Sequence, residues 1–262
     1  MIRKLLDWFR GRRRPGIPDE LWQRTIAGLP FLACLSADEQ ADLRDLAERF
    51  LAEKEFTAAG GLALDDAICI SIAAQGCLPI LRLGLGAYRG WVGIVVYPDE
   101  FVVPRQLQDE FGVVHEYEDV LSGEAWQGGP LIVSWRDAQM AGEGYNVVIH
   151  EFAHKLDMLN GDADGVPALH SGLTVESWEE GLLAAYDDFC HRVDRGEETI
   201  IDPYASEHPA EFFAVLSECF FEMPDVVAAE YPALYKLLQR YYRQDPLARW
   251  MKAASADTTA PG

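Results

Sequence analysis

The chain has 262 residues, and its 43 Asp and Glu outnumber its 22 Lys and Arg, which gives a formal charge of −21 at pH 7. Because 49% of the residues are hydrophobic, the composition excludes a wholly disordered acidic protein and allows a sizeable core. The negative charge argues against direct binding of nucleic acid, since phosphate contacts need an excess of basic residues.

Residues 1–16 form a basic N-terminal segment that holds six basic residues and one acid. Its apolar residues lie at helical spacing opposite the charges, so it either docks as a small helix or is a solvated tail. The segment is too short for a signal peptide, and no apolar run in the chain is long enough for a membrane span. With five scattered cysteines and no C-x-x-C pair, these features predict a cytoplasmic protein.

The segment 19–56 is predicted to be a helical lead. Ser36 and Glu39 have the spacing of a capping box at the start of one helix. The apolar stretch 67–81 that follows two aspartates fits either a buried helix ending near Gly76 or a strand, and we favour the helix.

Short runs rich in β-branched residues then predict strands at 91–98, 100–104, 112–120 and 130–135. Strands this short predict a small, mostly antiparallel sheet. The segment 128–135, GGPLIVSW, is a candidate for the sheet edge along which an extended peptide could pair.

Helical patterns return at about 141–159, 175–195, 207–222 and 226–242, and the small polar residues of 251–262 predict a disordered tail. The expected fold class is therefore α+β: a mainly helical domain with a small sheet and a helical N-terminal lead. We expect one domain over 17–250.

The segment 146–157, NVVIHEFAHKLD, carries the clearest chemical signal. His150 and His154 are four residues apart, so on a helix both imidazoles lie on one face and can bind one metal ion. Two neutral imidazoles suit Zn²⁺, and the adjacent Glu151 can accept a proton from a metal-bound water. The alternative is two structural histidines on an amphipathic helix, but a buried helix holds such polar side chains only for a reason.

A third metal ligand has to come from elsewhere, because Asp157 and Asn160 occupy the positions of a short-range third histidine motif. The later segment 206–222 supplies three glutamates near one helical face: Glu211, Glu218 and Glu222. Helical spacing alone does not choose among them. Asp157 could accept a hydrogen bond from a ligand imidazole or cap a turn, and Glu218 could do the former or be exposed.

The segments 146–167 and 210–221, NVVIHEFAHKLDMLNGDADGVP and AEFFAVLSECFF, resemble the Mlc titration factor A family of bacterial zinc peptidases. The resemblance covers roughly residues 18–245, including EDVLSGEAW at 118–126 and GPLIVSW at 129–135. That family is similar to the catalytic domain of anthrax lethal factor, so the resemblance implies a zincin-like fold. Lys155 departs from the common zinc-protease pattern, which has an uncharged residue there.

The resemblance also implies roles for single residues. His150, His154 and Glu211 match the zinc ligands, with one Zn²⁺ per chain, and Glu151 matches the catalytic base. Tyr204 stands where the lethal-factor-like enzymes place a tyrosine that donates to the oxyanion, a role that a phenol near a metal can perform. The implied activity is an aminopeptidase acting on a peptide substrate, and the implied alternative is a binding protein that sequesters a transcriptional repressor of sugar uptake.

Overall fold

The computed structural model describes residues 16–108, 114–142 and 144–257. Outside these ranges lie residues 1–15 of the basic segment, residues 112–113 of one predicted strand and residues 258–262 of the predicted tail. Among the described residues, no helix combines the length and the apolar character needed to cross a membrane.

The helical lead consists of α1 (Asp19–Gly28), α2 (Pro30–Ala33) and α3 (Ala37–Glu53). The capping box predicted at the start of α3 is present: Glu39 N–H donates to Ser36 Oγ at 3.3 Å, and Ser36 N–H donates to Glu39 Oε2 at 3.0 Å. These two bonds satisfy backbone donors that the first turn of a helix leaves open. The prediction of a helical lead is confirmed up to Glu53, whereas residues 55–56 of the predicted lead belong to a strand.

The ambiguous apolar stretch folds as helix α4 (Asp66–Cys77), as favoured from the sequence. Asp65 caps it, because its side chain accepts a hydrogen bond from Ile68 N–H at 3.0 Å. Most of the helix is buried around its whole circumference, which explains why its sequence lacks a clear period of 3.6. Phe152 lies so close to Gly76 that a Cβ there would be 2.5 Å from its ring.

Six strands are described: β1 (Glu55–Ala58), β2 (Gly93–Tyr97), β3 (Phe101–Gln108), β4 (Val114–Leu121), β5 (Gly123–Ala125) and β6 (Leu131–Ser134). One sheet has the order β1-β2-β6-β5, and β3 and β4 form a separate antiparallel hairpin. The α+β class is confirmed, with β1 and β5 as additions to the predicted strands.

The four-stranded sheet is mixed, whereas the sequence predicted a mostly antiparallel one. β2 pairs in parallel with both β1 and β6, and only β5 and β6 are antiparallel. The reason is the length of the connections: α4 lies between β1 and β2, and the β3–β4 hairpin lies between β2 and β6. Such long crossovers let the chain re-enter the sheet in the same direction.

The expectation of a sheet edge at 128–135 is wrong, because β6 lies between β2 and β5. The outer strand on that side, among the described residues, is β5. This strand has only three residues, Gly-Glu-Ala, and such a short segment has no alternating pattern that a sequence could reveal.

The second half of the chain is helical, with α5 (Trp135–Ala138), α6 (Val147–Asp157), α7 (Val175–Asp194), α8 (Pro209–Glu222), α9 (Pro224–Glu230), α10 (Pro232–Tyr242) and α11 (Pro246–Asp257). The helix predicted over 226–242 is interrupted at Tyr231, since a residue before proline avoids the α region. Residues 251–257 are helical rather than disordered, because alanines and the Pro246 start favour a helix there.

Helix α6 is buried along almost its whole length. Its Phe152 packs against the rings of Phe50, Tyr88 and Trp91 at centroid distances of 5.0–5.8 Å. The side chains of Val148, Ile149, Phe152 and Ala153 are fully buried. This packing fixes the rotation of α6, so its remaining face points in a defined direction, toward α8 and β5.

Candidate metal centre

The start of α6 is set by Asn146. Its side-chain oxygen caps the helix by accepting from Ile149 N–H at 2.9 Å, and glycines with positive φ precede it at 142 and 144. The predicted helix of 141–159 therefore begins at Val147. His150 and His154 follow one turn apart with ring centroids 4.8 Å from each other, as the sequence spacing predicts.

Glu211, in the first turn of α8, joins the two histidines. Its Oε2 lies 3.0 Å from His150 Nε2 and 3.3 Å from His154 Nε2, and the two Nε2 atoms are 3.1 Å apart. Within the described part of the chain, these are the residues whose ligand atoms converge in the manner of a metal site. We call the three atoms His150 Nε2, His154 Nε2 and Glu211 Oε2 the ligand triangle, because they could bind one metal ion. Zn²⁺ bound tetrahedrally at about 2.0–2.1 Å separates its ligand atoms by about 3.3 Å, so the distances within the ligand triangle fit such an ion.

Glu218 lies two turns further along α8 and is almost fully buried. Its Oε1 accepts a hydrogen bond from His150 Nδ1 at 2.7 Å, and its other oxygen accepts from Asn146 N–H. A proton on Nδ1 leaves the Nε2 lone pair directed at the ligand triangle. Glu218 is thus the acceptor that orients the imidazole of His150, a candidate ligand, and the sequence had left this role open.

Glu222, the third glutamate, binds the loop before α6 and not a histidine. It accepts hydrogen bonds from Asn146 Nδ2 at 2.7 Å and from the backbone N–H groups of Gly142 and Gly144, each at 2.9 Å. It therefore holds the loop that leads into α6. The three glutamates of one helical face divide into a ligand candidate, an orienting residue and a loop anchor.

The charges of the ligand triangle influence each other strongly. Burial would raise the pKa of Glu211, but hydrogen bonds from His150 and His154 outweigh it and hold that pKa well below its usual range. Burial would lower the pKa of His150, but hydrogen bonds to Glu211 and Glu218 raise it above its usual range. Both shifts have the same cause. Imidazole nitrogens and carboxylate oxygens lie close together at the site, so a positive charge there, either a proton or a metal ion, is stabilised.

Glu151 lies next to the triangle without joining it. Its side chain is buried against β5, and its Oε2 has no hydrogen-bond partner. Burial raises the pKa of Glu151 to about 7. A carboxyl group with that pKa can accept and release a proton near neutrality.

Tyr204 lies in a 3₁₀ turn (Pro203–Ser206) whose start is capped by Asp202, which accepts from Tyr204 N–H at 2.9 Å. Its ring centroid is 6.2 Å from that of His150. Burial is the main cause that raises the pKa of its phenol, and the neighbouring charge of Glu211 adds to it. The structure therefore brings Tyr204 to the site and keeps its phenol protonated at neutral pH.

Asp157, the other open case, anchors the loop that follows α6. Gly165 N–H donates to Asp157 Oδ2 at 2.8 Å, and Asp157 Oδ1 and His154 Nδ1 are both buried atoms without hydrogen-bond partners. In the described structure the aspartate therefore supports the loop and does not hydrogen bond to the ligand imidazole.

Two further residues, missed from the sequence, connect α6 to β5. A Cβ at Gly123 would be 2.4 Å from Glu151 Oε1, so the strand backbone closely approaches the Glu151 carboxylate. Lys155 is buried and donates to backbone carbonyls just beyond β5. The one signal in the sequence was the unusual positive charge directly after His154.

Comparison with known proteins agrees with this geometry. The family model of the glucose-regulated metallo-peptidase M90 matches residues 5–243. The chain belongs to this metallopeptidase family. Similar proteins named Mlc titration factor A occur in Enterobacter sp. (strain 638), with 42% identity over 250 residues, 93% of this chain and 94% of the relative. The protein of that name from Salmonella arizonae is 45% identical over 236 residues, 88% of this chain and 93% of the relative.

The resemblance seen in the sequence is thus confirmed over most of the chain. A metallopeptidase needs a bound metal ion, so membership of the M90 family agrees with a metal site at the ligand triangle. His150, His154 and Glu211 could hold that ion, and the nearby residues surround it with a buried carboxyl group, a phenol and an outer strand.

Proposed function

We propose that this protein is a zinc-dependent peptidase in which His150, His154 and Glu211 bind one Zn²⁺ per chain. The observation that carries the proposal is the convergence of two imidazole nitrogens and one carboxylate oxygen at separations of 3.0–3.3 Å. When bound, a zinc ion with three protein ligands polarises a carbonyl and lowers the pKa of a water in its open position.

The chain's own residues supply the remaining chemistry. Glu151 accepts the proton of the attacking water and delivers it to the leaving amine, and its pKa of about 7 suits both steps. Tyr204 donates a hydrogen bond to the oxyanion that forms as the carbonyl is attacked. Glu218 holds the His150 ring in the tautomer that a metal ligand needs.

We further propose that the substrate is a peptide that pairs with β5. This strand is one of the two outer strands of its sheet among the described residues, and Gly123 within it lies directly against Glu151. A peptide added to such an edge brings one of its carbonyl groups close to the base by backbone hydrogen bonds alone. Aminopeptidase action is the specific activity we propose, because the strongly acidic chain favours the free ammonium end of a peptide.

The test compares the wild type with Glu151→Gln. Zinc content is measured by mass spectrometry, and hydrolysis is measured on chromogenic aminoacyl substrates and on short peptides. We expect one zinc per chain in both proteins and hydrolysis in the wild type alone. Full activity in Glu151→Gln would refute the assigned base, and a zinc-loaded wild type that cleaves no amide would refute the peptidase.

A second function is supported by the relatives. Their name, Mlc titration factor A, describes titration of Mlc. We propose that this chain also binds a transcriptional repressor of that kind, and that it does so in the cytoplasm, where such a repressor acts. A His150→Ala/His154→Ala protein that still binds the purified repressor would show that association does not need the metal centre, whereas lost binding would link the two functions.

A further inference from the structure

Lys155 is a buried cation one residue beyond the second candidate ligand. Its side chain is hardly exposed, and its Nζ donates to three backbone carbonyls: Trp126 O at 2.6 Å, Gly129 O at 2.9 Å and Pro130 O at 3.3 Å. All three carbonyls belong to the turn that joins β5 to β6. The ammonium group therefore ties this turn to helix α6.

The turn already has its own backbone hydrogen bonds. Trp126 N–H donates to Pro130 O at 3.1 Å, and Gly129 N–H donates to Trp126 O at 3.0 Å. The turn can close without Lys155, because Trp126 O and Pro130 O keep these backbone partners, whereas Gly129 O loses the lysine as a donor. What the lysine adds is the attachment of the closed turn to α6.

This attachment is one of two contacts between α6 and the same strand. Glu151 lies against Gly123, the first residue of β5, and Lys155 holds Trp126, the residue directly after β5. Glu151 and Lys155 are four positions apart and so lie one turn apart along the helix. Both ends of β5 thus contact α6, which also carries His150 and His154, and the end at Trp126 is held by hydrogen bonds from Lys155.

We propose that Lys155 is a positioning residue that fixes β5 at the distance from the metal centre at which an extended peptide substrate pairs with it. This inference rests on the proposed function, because it assumes that substrate binds along β5. Lys155 touches neither the ligand triangle nor the substrate. It binds the carbonyls of the turn, and through this turn it acts on β5, the strand that directly precedes it.

The chain contains a matched control. Lys54 is also buried, also donates to two backbone carbonyls, those of Tyr88 and Trp91 at 2.7 and 2.6 Å, and also lies against the Trp91 ring. It attaches the end of α3 to the loop before β2 and not to β5. Replacing either lysine removes a buried ammonium group of the same kind, so a general loss of stability affects both variants.

The experiment compares Lys155→Met, Lys155→Arg and Lys54→Met in the full-length, zinc-loaded protein. KM and kcat are measured for a single-residue chromogenic amide and for a peptide of about five residues. We expect Lys155→Met to raise KM for the longer peptide about tenfold or more, with a smaller change for the single-residue amide, because only the longer substrate pairs along β5. Lys155→Arg should recover part of the loss, and Lys54→Met should keep the wild-type ratio of the two KM values.

Hydrogen exchange gives a readout that does not depend on hydrolysis. Amides of residues 123–131 should exchange faster in Lys155→Met than in the wild type, whereas Lys54→Met should leave that segment unchanged. Unaltered exchange at 123–131 in Lys155→Met would overturn the proposal, and so would an equal rise of both KM values. If the wild type hydrolyses nothing, the proposed function fails, while exchange still decides whether Lys155 fixes β5. If Lys155→Met does not fold, Lys155→Gln replaces it in both measurements.

Discussion

Gly123→Ala is the substitution for which the structure predicts the clearest effect on catalysis. The added Cβ would lie 2.4 Å from Glu151 Oε1, 2.7 Å from its Cγ and 2.8 Å from its Cδ. Ordinary contacts of a methyl group with such atoms are about 3.4 Å or longer, so the carboxyl group has to move by about 1 Å. A displacement of this size in Glu151, the proposed base, should lower the rate about 100-fold.

The assay is kcat/KM for a chromogenic aminoacyl substrate, together with zinc content and the midpoint of thermal unfolding. We expect about 100-fold lower kcat/KM and one zinc per chain, because the three atoms nearest to the added Cβ all belong to Glu151 and none to a candidate ligand. Gly28→Ala is the matched control, since a Cβ there meets no atom within 4 Å. An activity of Gly123→Ala within twofold of the wild type would refute the contact between β5 and the catalytic base. Loss of zinc would also refute the reasoning, since it would show that β5 supports the ligands themselves.

Four further outcomes follow from the same contacts. Glu218→Gln should weaken zinc binding about 10- to 100-fold, measured by competition with a chelator, because the His150 ring loses its charged acceptor. Tyr204→Phe should lower kcat by about 100-fold without changing zinc content, whereas an unchanged kcat would exclude the phenol from oxyanion stabilisation. Glu222→Ala should cost about 2–4 kcal/mol in urea unfolding, because it leaves several N–H groups before α6 unpaired. Burial lowers the pKa of Lys54 to about 8, so the unfolded chain binds more protons than the folded chain between pH 8 and 10.5. The free energy of unfolding of the wild type should therefore rise relative to that of Lys54→Met as pH rises through this window. A constant difference between the two proteins would contradict the lowered pKa.

The sequence predicts the proximity of His150 and His154 well because both histidines lie on one helix, where spacing alone determines proximity. The third ligand could not be derived from spacing, since Glu211, Glu218 and Glu222 follow one another on the same face of α8. Which of them reaches the Nε2 atoms of both histidines depends on how α8 crosses α6, and that angle is set by packing between residues distant in the chain. The family resemblance indicated Glu211, and the geometry places the same residue in the triangle.

The fold shows the same division between local and distant information. The capping box of Ser36 is a local signal that the sequence predicts correctly. The stop before Pro232 is equally local, but the helix predicted over 226–242 runs through it and is wrong at that point. Strand direction in the four-stranded sheet depends on how long connections return, and the three-residue β5 is too short for a pattern. Since β5 contacts both Glu151 and Lys155, the part of the site that sequence reasoning missed is the part that depends on this strand.

Zinc content measured by mass spectrometry in purified wild-type and His150→Ala/His154→Ala protein tests the central claim most directly. The convergence of His150, His154 and Glu211 predicts one zinc per wild-type chain and almost none in the double variant. A wild type without tightly bound metal, or a double variant that keeps one zinc per chain, would contradict the assignment of the metal centre.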